Sequence, residues 1–474
     1  MKTNLFTKFL SFSYGSWIGL IIGLLITMLT TRILPPESYG KISMIDLFVS
    51  ITLTFTVFGT DQSFIRFYYE EKPENRGGLL YNSIKFPLIS NLIIILIILL
   101  LHEKILILLI GSSDFIIAIF ISVSVLLQLL LRFGKLVIRM QQKGNLYSVL
   151  EILQKVFNLI FIIIIYHIIG SNFKVLLYSN VFAMFLVTII SIYFGKNFWG
   201  FNNIRIKSTK HSQTEILRYG SPFILTLFIS NLLQSLDKIA IRYWSSFEEL
   251  GLYTAAMKLV SLLLVLKVSF STFWTPVSYE RFEKNPNDKT FFSSMTILIS
   301  VIMFFVGILC IVSKDIIVLL FGDKYRDAAQ LMPFLVFMPI FYTISETTMV
   351  GINFYKKTYW HILISLISCV INFLGNWILV PEFGAVGASI STAFSFIVFF
   401  SLRTHISEMY FKVAYPLAKI YFMILVLSLY AFCSLFITSL WLNIIVGLIS
   451  LVTLIMLFVN DIKEILQKRK LVYN

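Results

Sequence analysis

Apolar runs of about 20 residues recur from one end of this chain to the other, with short polar gaps between them. A run of that length crosses a ~30 Å hydrocarbon core as one helix. A membrane β-strand would instead alternate apolar and polar positions over about 10 residues. The stretch from Leu88 to Leu101, LISNLIIILIILLL, does not alternate. The pattern predicts an all-α polytopic membrane protein with about 14 transmembrane helices. They fall at roughly 14–34, 40–61, 80–101, 114–133, 147–168, 174–195, 219–243, 251–275, 291–312, 328–349, 359–380, 384–402, 417–438 and 442–460.

The polar gaps orient these spans. Of the 39 Lys and Arg residues, 27 lie in alternate gaps and eight in the others, while Lys155, Lys238, Lys258 and Lys267 lie inside the runs. The basic clusters are Lys2/Lys8, Arg66/Lys72/Arg76/Lys85, Arg132/Lys135/Arg139/Lys143 and Lys196/Arg205/Lys207/Lys210/Arg218. They continue at Arg281/Lys284/Lys289, Lys356/Lys357, Arg403/Lys412/Lys419 and Lys463/Lys468/Arg469/Lys470. Cytoplasmic loops carry the excess of Lys and Arg, so both termini are expected in the cytoplasm. The opposite gaps are short, as in Leu34-Pro35-Pro36-Glu37-Ser38-Tyr39-Gly40 and Pro381-Glu382-Phe383-Gly384. The first run continues from Tyr14 to Arg32 without a small-residue cleavage site, which reads as a retained helix and not a signal peptide.

Composition removes several function classes. Only 13% of the 474 residues are charged, against about 25% in a soluble globular chain. The net charge of +15 comes in small groups on alternate loops, not as the basic face with interleaved aromatics that nucleic-acid binding needs. It fits membrane orientation and attraction to anionic lipid headgroups. Cys310, Cys369 and Cys433 are far apart in apolar runs and read as packing residues. The five histidines, His102, His167, His211, His361 and His405, lack metal-ligand spacing. No phosphate-cradling glycine loop ends in Lys-Ser/Thr, so ATP is not expected to drive the protein directly. No cofactor is expected.

No loop exceeds about 25 residues, and the longest polar connection runs from Lys196 to Arg218. The expected organisation is a six-helix bundle over 1–200, a cytoplasmic linker over 201–218 and a second six-helix bundle over 219–402. Two further helices and a basic tail occupy 403–474. The halves echo each other. Tyr14-Gly15-Ser16 matches Tyr219-Gly220-Ser221, and Tyr39-Gly40 loosely matches Leu250-Gly251-Leu252-Tyr253. Lys143 and Asn158 match Lys357 and Asn372, and the three offsets are 205, 211 and 214. An even number of helices per half makes these parallel repeats about an axis along the membrane normal. Such repeats place a transport site in a central cavity near the midplane.

Three stretches carry a family resemblance. Thr31-Arg32-Ile33-Leu34-Pro35-Pro36-Glu37-Ser38-Tyr39-Gly40 resembles the turn between the first two helices of polysaccharide flippases. Phe321-Gly322-Asp323-Lys324-Tyr325-Arg326-Asp327-Ala328-Ala329 is similar to their approach to span ten. Asn372 with Leu379-Val380-Pro381-Glu382-Phe383-Gly384-Ala385-Val386-Gly387-Ala388 resembles their turn before span twelve. Together these resemble the multidrug/oligosaccharidyl-lipid/polysaccharide exporter (MATE-like) superfamily, in its polysaccharide-transporter branch. The resemblance implies a flippase of the O-unit type, moving undecaprenyl-pyrophosphate-linked oligosaccharides across the bacterial inner membrane. Membrane lipids, and polysaccharide polymerase and chain-length proteins, are the partners it implies. The motifs themselves are explained structurally: glycine permits left-handed backbone or close approach at a short turn, and Gly384 to Ala388 offers a small-residue packing face.

Charges inside the membrane are where transport chemistry would reside, because each costs several kcal/mol unless it has a partner or lines a cavity. Asp237 and Lys258 lie at similar depth in spans seven and eight, so a buried ion pair is one reading and a cavity lining the other. Arg32 and Asp46 form a charge-swapped echo in the first half. Lys258 and Lys267, nine residues apart, fall on nearly opposite faces of one helix. Lys267 lies deeper with no acidic sequence neighbour, which makes it the first candidate to meet an anionic cargo. Lys238 can reach outward to the interface. Glu151 and Lys155 are four apart, a spacing that pairs them on one helical face or sets both near an arriving pyrophosphate. Arg66 and Arg139, at cytoplasmic ends, set topology or greet the same headgroup. Coupling to Na⁺ or H⁺ requires an embedded carboxylate, and Asp46, Asp237 and Glu346 qualify. Two other functions remain open: a cation-coupled multidrug exporter, whose site would favour acids, and a polysaccharide polymerase or ligase, which would want a long basic outer loop.

Overall fold

The computed structural model describes residues 5–200, 209–437 and 439–473. Lys2, Arg205, Lys207 and the linker stretch 201–208 lie outside them, as do the side chains of Lys8, Lys468, Arg469 and Lys470. The described residues form helices and connecting turns, with no strand among them. They divide into two compact units, Met1–Leu232 and Leu233–Asn474.

Unit 1 contains α1 (Leu5–Ile33), α2 (Pro36–Val57), α3 (Thr60–Phe67), α4 (Arg76–Leu100), α5 (His102–Ile110), α6 (Phe115–Met140), α7 (Gly144–Ile169), α8 (Lys174–Phe194) and α9 (Lys196–Trp199). The unit boundary falls within α10 (Gln213–Trp244). Unit 2 continues with α11 (Phe247–Lys284), α12 (Lys289–Val312), α13 (Lys314–Val318), α14 (Ala328–Leu335), α15 (Phe337–Thr348) and α16 (Val350–Phe354). It closes with α17 (Tyr359–Tyr410), α18 (Leu417–Cys433) and α19 (Leu440–Tyr473). Among the described residues, 11 helical stretches are long and apolar enough to cross a membrane. One of them, α17, holds two of the expected spans, while α10 and α18 occupy the positions of two more.

Large apolar side chains face outward along these helices: Leu100, Ile168, Trp441 and Met456 are 72–75% exposed. In water such a surface would aggregate, whereas in hydrocarbon it is the ordinary outside of a helix. The chain is a multi-pass membrane protein. Cys310, Cys369 and Cys433 are all free thiols.

In unit 1 the first turn is closed by side chains. Pro36 opens α2 at its first turn, where a missing N–H costs nothing, and the buried Thr30 and Tyr39 hydroxyls hydrogen-bond across the turn at 2.5 Å. Gly40 is buried inside α2 and does not supply left-handed backbone. The expected span 40–61 is interrupted, because Phe58 (φ 54°) and Gly59 (φ 67°) are both left-handed and separate α2 from α3. A side chain on Gly220 would meet the backbone of Phe58 and Gly59, and one on Gly15 would meet Ser148 of α7. The matched Tyr-Gly-Ser segments therefore both serve close helix approach, but against different partners. Residues 209–216 are held to unit 1. His211 stacks on Phe67 (4.0 Å) and its ring nitrogens reach Glu70 (3.2 Å) and Glu215 (2.9 Å), while Ser63 Oγ donates to the Ile216 carbonyl (2.7 Å).

The internal repeat is visible in the backbone at its third match. At the end of α6, Gln142 (φ 58°) donates to the Arg139 carbonyl and Lys143 to that of Ile138. At the end of α16, Lys356 (φ 57°) donates to the Asn353 carbonyl and Lys357 to that of Ile352. Both are the same left-handed helix cap, and both use a residue other than glycine.

In unit 2, α17 bends back on itself at Gly384 (φ 52°, ψ −131°). The Glu249 carboxylate accepts from the freed Ala385 N–H at 2.9 Å, and a Cβ on Gly384 would lie 2.9 Å from Glu249 Oε2. Gly384→Ala should destabilise the protein by roughly 1–3 kcal/mol, through backbone strain and crowding together. Thermal unfolding in detergent checks this against Gly23→Ala, where an added Cβ meets nothing within 4 Å. Equal melting temperatures would show that the bend does not need glycine.

Candidate functional site

Two buried charge clusters lie within unit 2. The first surrounds Asp237 of α10, which is 3% exposed. Its Oδ2 accepts from Tyr253 OH and Thr392 Oγ1, each at 2.6 Å, and its Oδ1 from Asn372 Nδ2 (3.0 Å) and Asn376 Nδ2 (2.8 Å). Four neutral donors thus satisfy one carboxylate, and they come from α11 and from both limbs of α17. A buried carboxylate can remain ionised when hydrogen bonds replace its hydration. The same groups also offer a concentration of oxygens, since Asn376 Oδ1 has no hydrogen-bond partner among the described residues. Such a shell suits a small hard cation or a proton.

This arrangement corrects the expected pairing of Asp237 with Lys258. No ion pair joins them among the described residues, and Lys258 is exposed on α11. Depth matches between the two helices, but α11 reaches Asp237 through Tyr253, and the other donors stand on α17.

The second cluster surrounds Glu346 of α15. Arg403 Nη1 donates to Glu346 Oε1 at 3.0 Å and to Ser345 Oγ at 2.9 Å, and both charged side chains are 8% exposed. Ser271 Oγ donates to Glu346 Oε2 (3.2 Å), and Trp274 Nε1 donates to the Glu346 carbonyl (3.0 Å). Glu346 is therefore engaged in a closed ion pair. The neighbouring hydroxyls join helices: Thr296 reaches Thr347 (3.0 Å), and Thr348 reaches Thr404 (2.7 Å). On α11, one turn before Ser271, Lys267 sets its Nζ 3.8 Å above the Tyr342 ring. The Arg403 guanidinium lies over the same ring at 5.1 Å and over Phe399 at 4.5 Å. Lys267 is half-buried, with no carboxylate at ion-pair distance among the described residues. Two cations and one anion share this corner, so it carries a net positive charge.

The other expected residues take no part in the contacts just described. Arg32 and Asp46 are both exposed on unit 1, which removes the buried echo of the Asp237 region. Glu151 accepts from Ser16 Oγ of α1 at 2.8 Å, and Lys155, one turn further, is exposed. Lys238 is half-buried beside Asp237, Arg66 pairs with Glu70, and Arg139 is exposed. Arg403 and Arg132 belong to the basic clusters that orient the spans. Both hold buried carboxylates, Arg132 being 2.5 Å from Asp61 of α3. Tyr342, Asn376 and Thr392 carried no signal as single residues. Asn372 did, through the repeat.

Comparison with known proteins places this geometry. A family model described as polysaccharide biosynthesis protein matches residues 5–282, more than half of the chain. The membrane protein MJ1068 of Methanocaldococcus jannaschii is 23% identical over 403 residues, covering 80% of this chain and 78% of that protein. Among solved structures, the inward closed conformation of the lipid II flippase MurJ superposes with a TM-score of 0.71 at 16% identity. That match covers 95% of this chain and 99% of the other. An inward-facing multidrug resistance MATE transporter of the MOP superfamily gives 0.64 at 13% identity, covering 83% and 94%. At these identities the likeness is one of fold. The fold is the transporter fold expected from the three motifs, and the relatives that share it are transporters and flippases, not enzymes.

Removing Glu346 would leave Arg403 buried without a counter-charge, a change that costs on the order of 3–5 kcal/mol. Glu346→Gln should therefore lower the melting temperature strongly, and Glu346→Leu combined with Arg403→Met should restore most of it. A single substitution with no thermal effect would show that the pair is not structural.

Proposed function

The chain belongs to the polysaccharide biosynthesis protein family, and from that premise we propose that it is a flippase for a polyprenyl-pyrophosphate-linked oligosaccharide repeat unit. It carries the unit across the bacterial inner membrane by alternating access, for surface polysaccharide assembly, with both termini in the cytoplasm. The observation that carries this reading is Lys267, a half-buried cation resting on the Tyr342 ring with no carboxylate at ion-pair distance among the described residues. A cation held that way in an apolar unit suits an anionic pyrophosphate or sugar acid. Arg403 and Glu346 balance one another, so the net positive charge of the corner is that of Lys267. The polyprenyl tail remains in lipid. Polymerase and chain-length proteins would receive the product.

Asp237 is the coupling carboxylate in this reading. Of the three embedded acids, Asp46 is exposed and Glu346 is bound by Arg403, whereas the four hydrogen-bond donors to Asp237 are neutral. Na⁺ or H⁺ entering that shell would replace donated hydrogen bonds by cation–oxygen contacts, or fill them with a proton. Asp237 also gives the multidrug reading its specific support, because a buried carboxylate held by neutral hydrogen-bond donors attracts cationic drugs.

Lys267→Ala should reduce surface polysaccharide roughly ten- to hundredfold at unchanged protein level, the loss of one charge-assisted contact. Lipid-linked repeats should accumulate on the inner leaflet, and Lys267→Arg should retain most export. Full export by the alanine variant would remove Lys267 from transport, and extrusion of cationic dyes by the native protein would favour the multidrug reading. In proteoliposomes, Asp237→Asn should abolish the dependence of transport on an imposed Na⁺ or H⁺ gradient. A gradient dependence that persists would place coupling elsewhere.

A further inference from the structure

Unit 1 contains a cleft of about 500 Å³ at the ends of α3, α4, α6 and α7, on the face that carries its basic loops. That volume lies within the 300–1,000 Å³ usual for small-ligand sites. Arg76 is preorganised at its wall. Its Nε donates to the Tyr68 carbonyl (3.1 Å), and its guanidinium lies over the rings of Tyr68 (4.4 Å) and Tyr69 (5.6 Å). No carboxylate reaches ion-pair distance of Arg76 or of Lys143 on the opposite wall among the described residues. Among the described residues that line it, Glu74 is the only acid beside Arg76 and Lys143, so this lining is net positive. Between the cations lie polar groups: Gln142 Nε2 donates to Tyr69 OH (3.1 Å), which itself donates to the Met140 carbonyl (3.1 Å), and Asn197 completes the rim.

The repeat does not require this opening. Beside the matching turn at Lys356 and Lys357, the equivalent corner of unit 2 is packed solid. Phe282 stacks on Phe354 at 4.0 Å, and Phe292 and Phe411 close around them at 5.5–5.7 Å. Where one half has phenyl rings, the other has a guanidinium, an ammonium, amides and phenols around a void.

We propose that this cleft binds a phosphorylated polyol, either a soluble sugar phosphate or the glycerophosphate headgroup of an anionic phospholipid. The planar fork of Arg76 and the point charge of Lys143 take the phosphate. The amides and phenols take hydroxyls, and the exposed face of Tyr69 takes the carbon skeleton. The site lies within unit 1, and the proposal does not rest on the flippase reading.

The full chain in phosphatidylcholine nanodiscs would be titrated with glucose 1-phosphate, glucose and inorganic phosphate, followed by calorimetry. A parallel set containing phosphatidylglycerol would be read by native mass spectrometry for retained lipid. Saturable glucose 1-phosphate binding, weakened about tenfold or more by Arg76→Gln and by Lys143→Gln, would support the soluble source. Retention of phosphatidylglycerol alone, lost in the same two variants, would support the headgroup. Lys143 is exposed, so its variant remains informative if Arg76→Gln unfolds, and Lys284→Gln should leave binding unchanged. Binding of neither probe, or binding indifferent to Lys143→Gln, would overturn the proposal. Inorganic phosphate binding as tightly as glucose 1-phosphate would overturn the polyol assignment.

Discussion

A charge taken out of water must find compensation inside the protein, and the architecture of unit 2 follows from that constraint. Asp237 draws α10, α11 and both limbs of α17 to one point through four hydrogen bonds. Asn372 and Thr392 can meet at 3.3 Å only if α17 reverses between them. The reversal is made by Gly384, whose backbone no other residue adopts comfortably. The turn and the buried acid are thus two ends of one requirement. Further along the same limb, Arg403 repeats the device with Glu346, and Trp274 and Ser271 tie α11 to that pair.

The fold was legible in the sequence because its determinants are local. Run length and the lack of alternation decide between helix and barrel, and no distant residue can overrule them. Gly384 was legible for a related reason, since a short turn between two spans limits the residues that can make it. The repeat at Lys143 and Lys357 was legible too, and the shared left-handed caps at Gln142 and Lys356 give it a structural basis.

Partners of buried charges were another matter. Sequence adjacency pointed from Asp237 to Lys258 on the next helix, but that helix supplies Tyr253 instead, and the other three donors stand as many as 155 residues away, on α17. Arg403 and Arg132 sit where topology alone would put a basic residue, so nothing in their position announced Glu346 or Asp61. Such pairings depend on which helices become neighbours, and apolar sequence carries almost no information on that choice. Breaks within spans were hidden for the same reason: Phe58 is an unremarkable apolar residue until the backbone reverses hand there.

The two clusters of unit 2 meet the constraint in ways that differ in reversibility. The Arg403–Glu346 pair is closed, because separating it exposes two charges to a medium that solvates neither. The shell around Asp237 is open in the chemical sense, since hydroxyls and amides can turn from donating to the acid to accepting from a cation. Lys267 is a third case. A cation–π contact stabilises a cation by about 0.5–2 kcal/mol, less than the roughly 1.5–3 kcal/mol of a hydrogen bond to a charged group. An anion arriving beside Tyr342 would therefore win the ammonium from the ring, and the ring would take it back when the anion leaves. On the proposed reading, that ordering lets the site hold a cation in hydrocarbon between cargoes without a carboxylate that would compete with them.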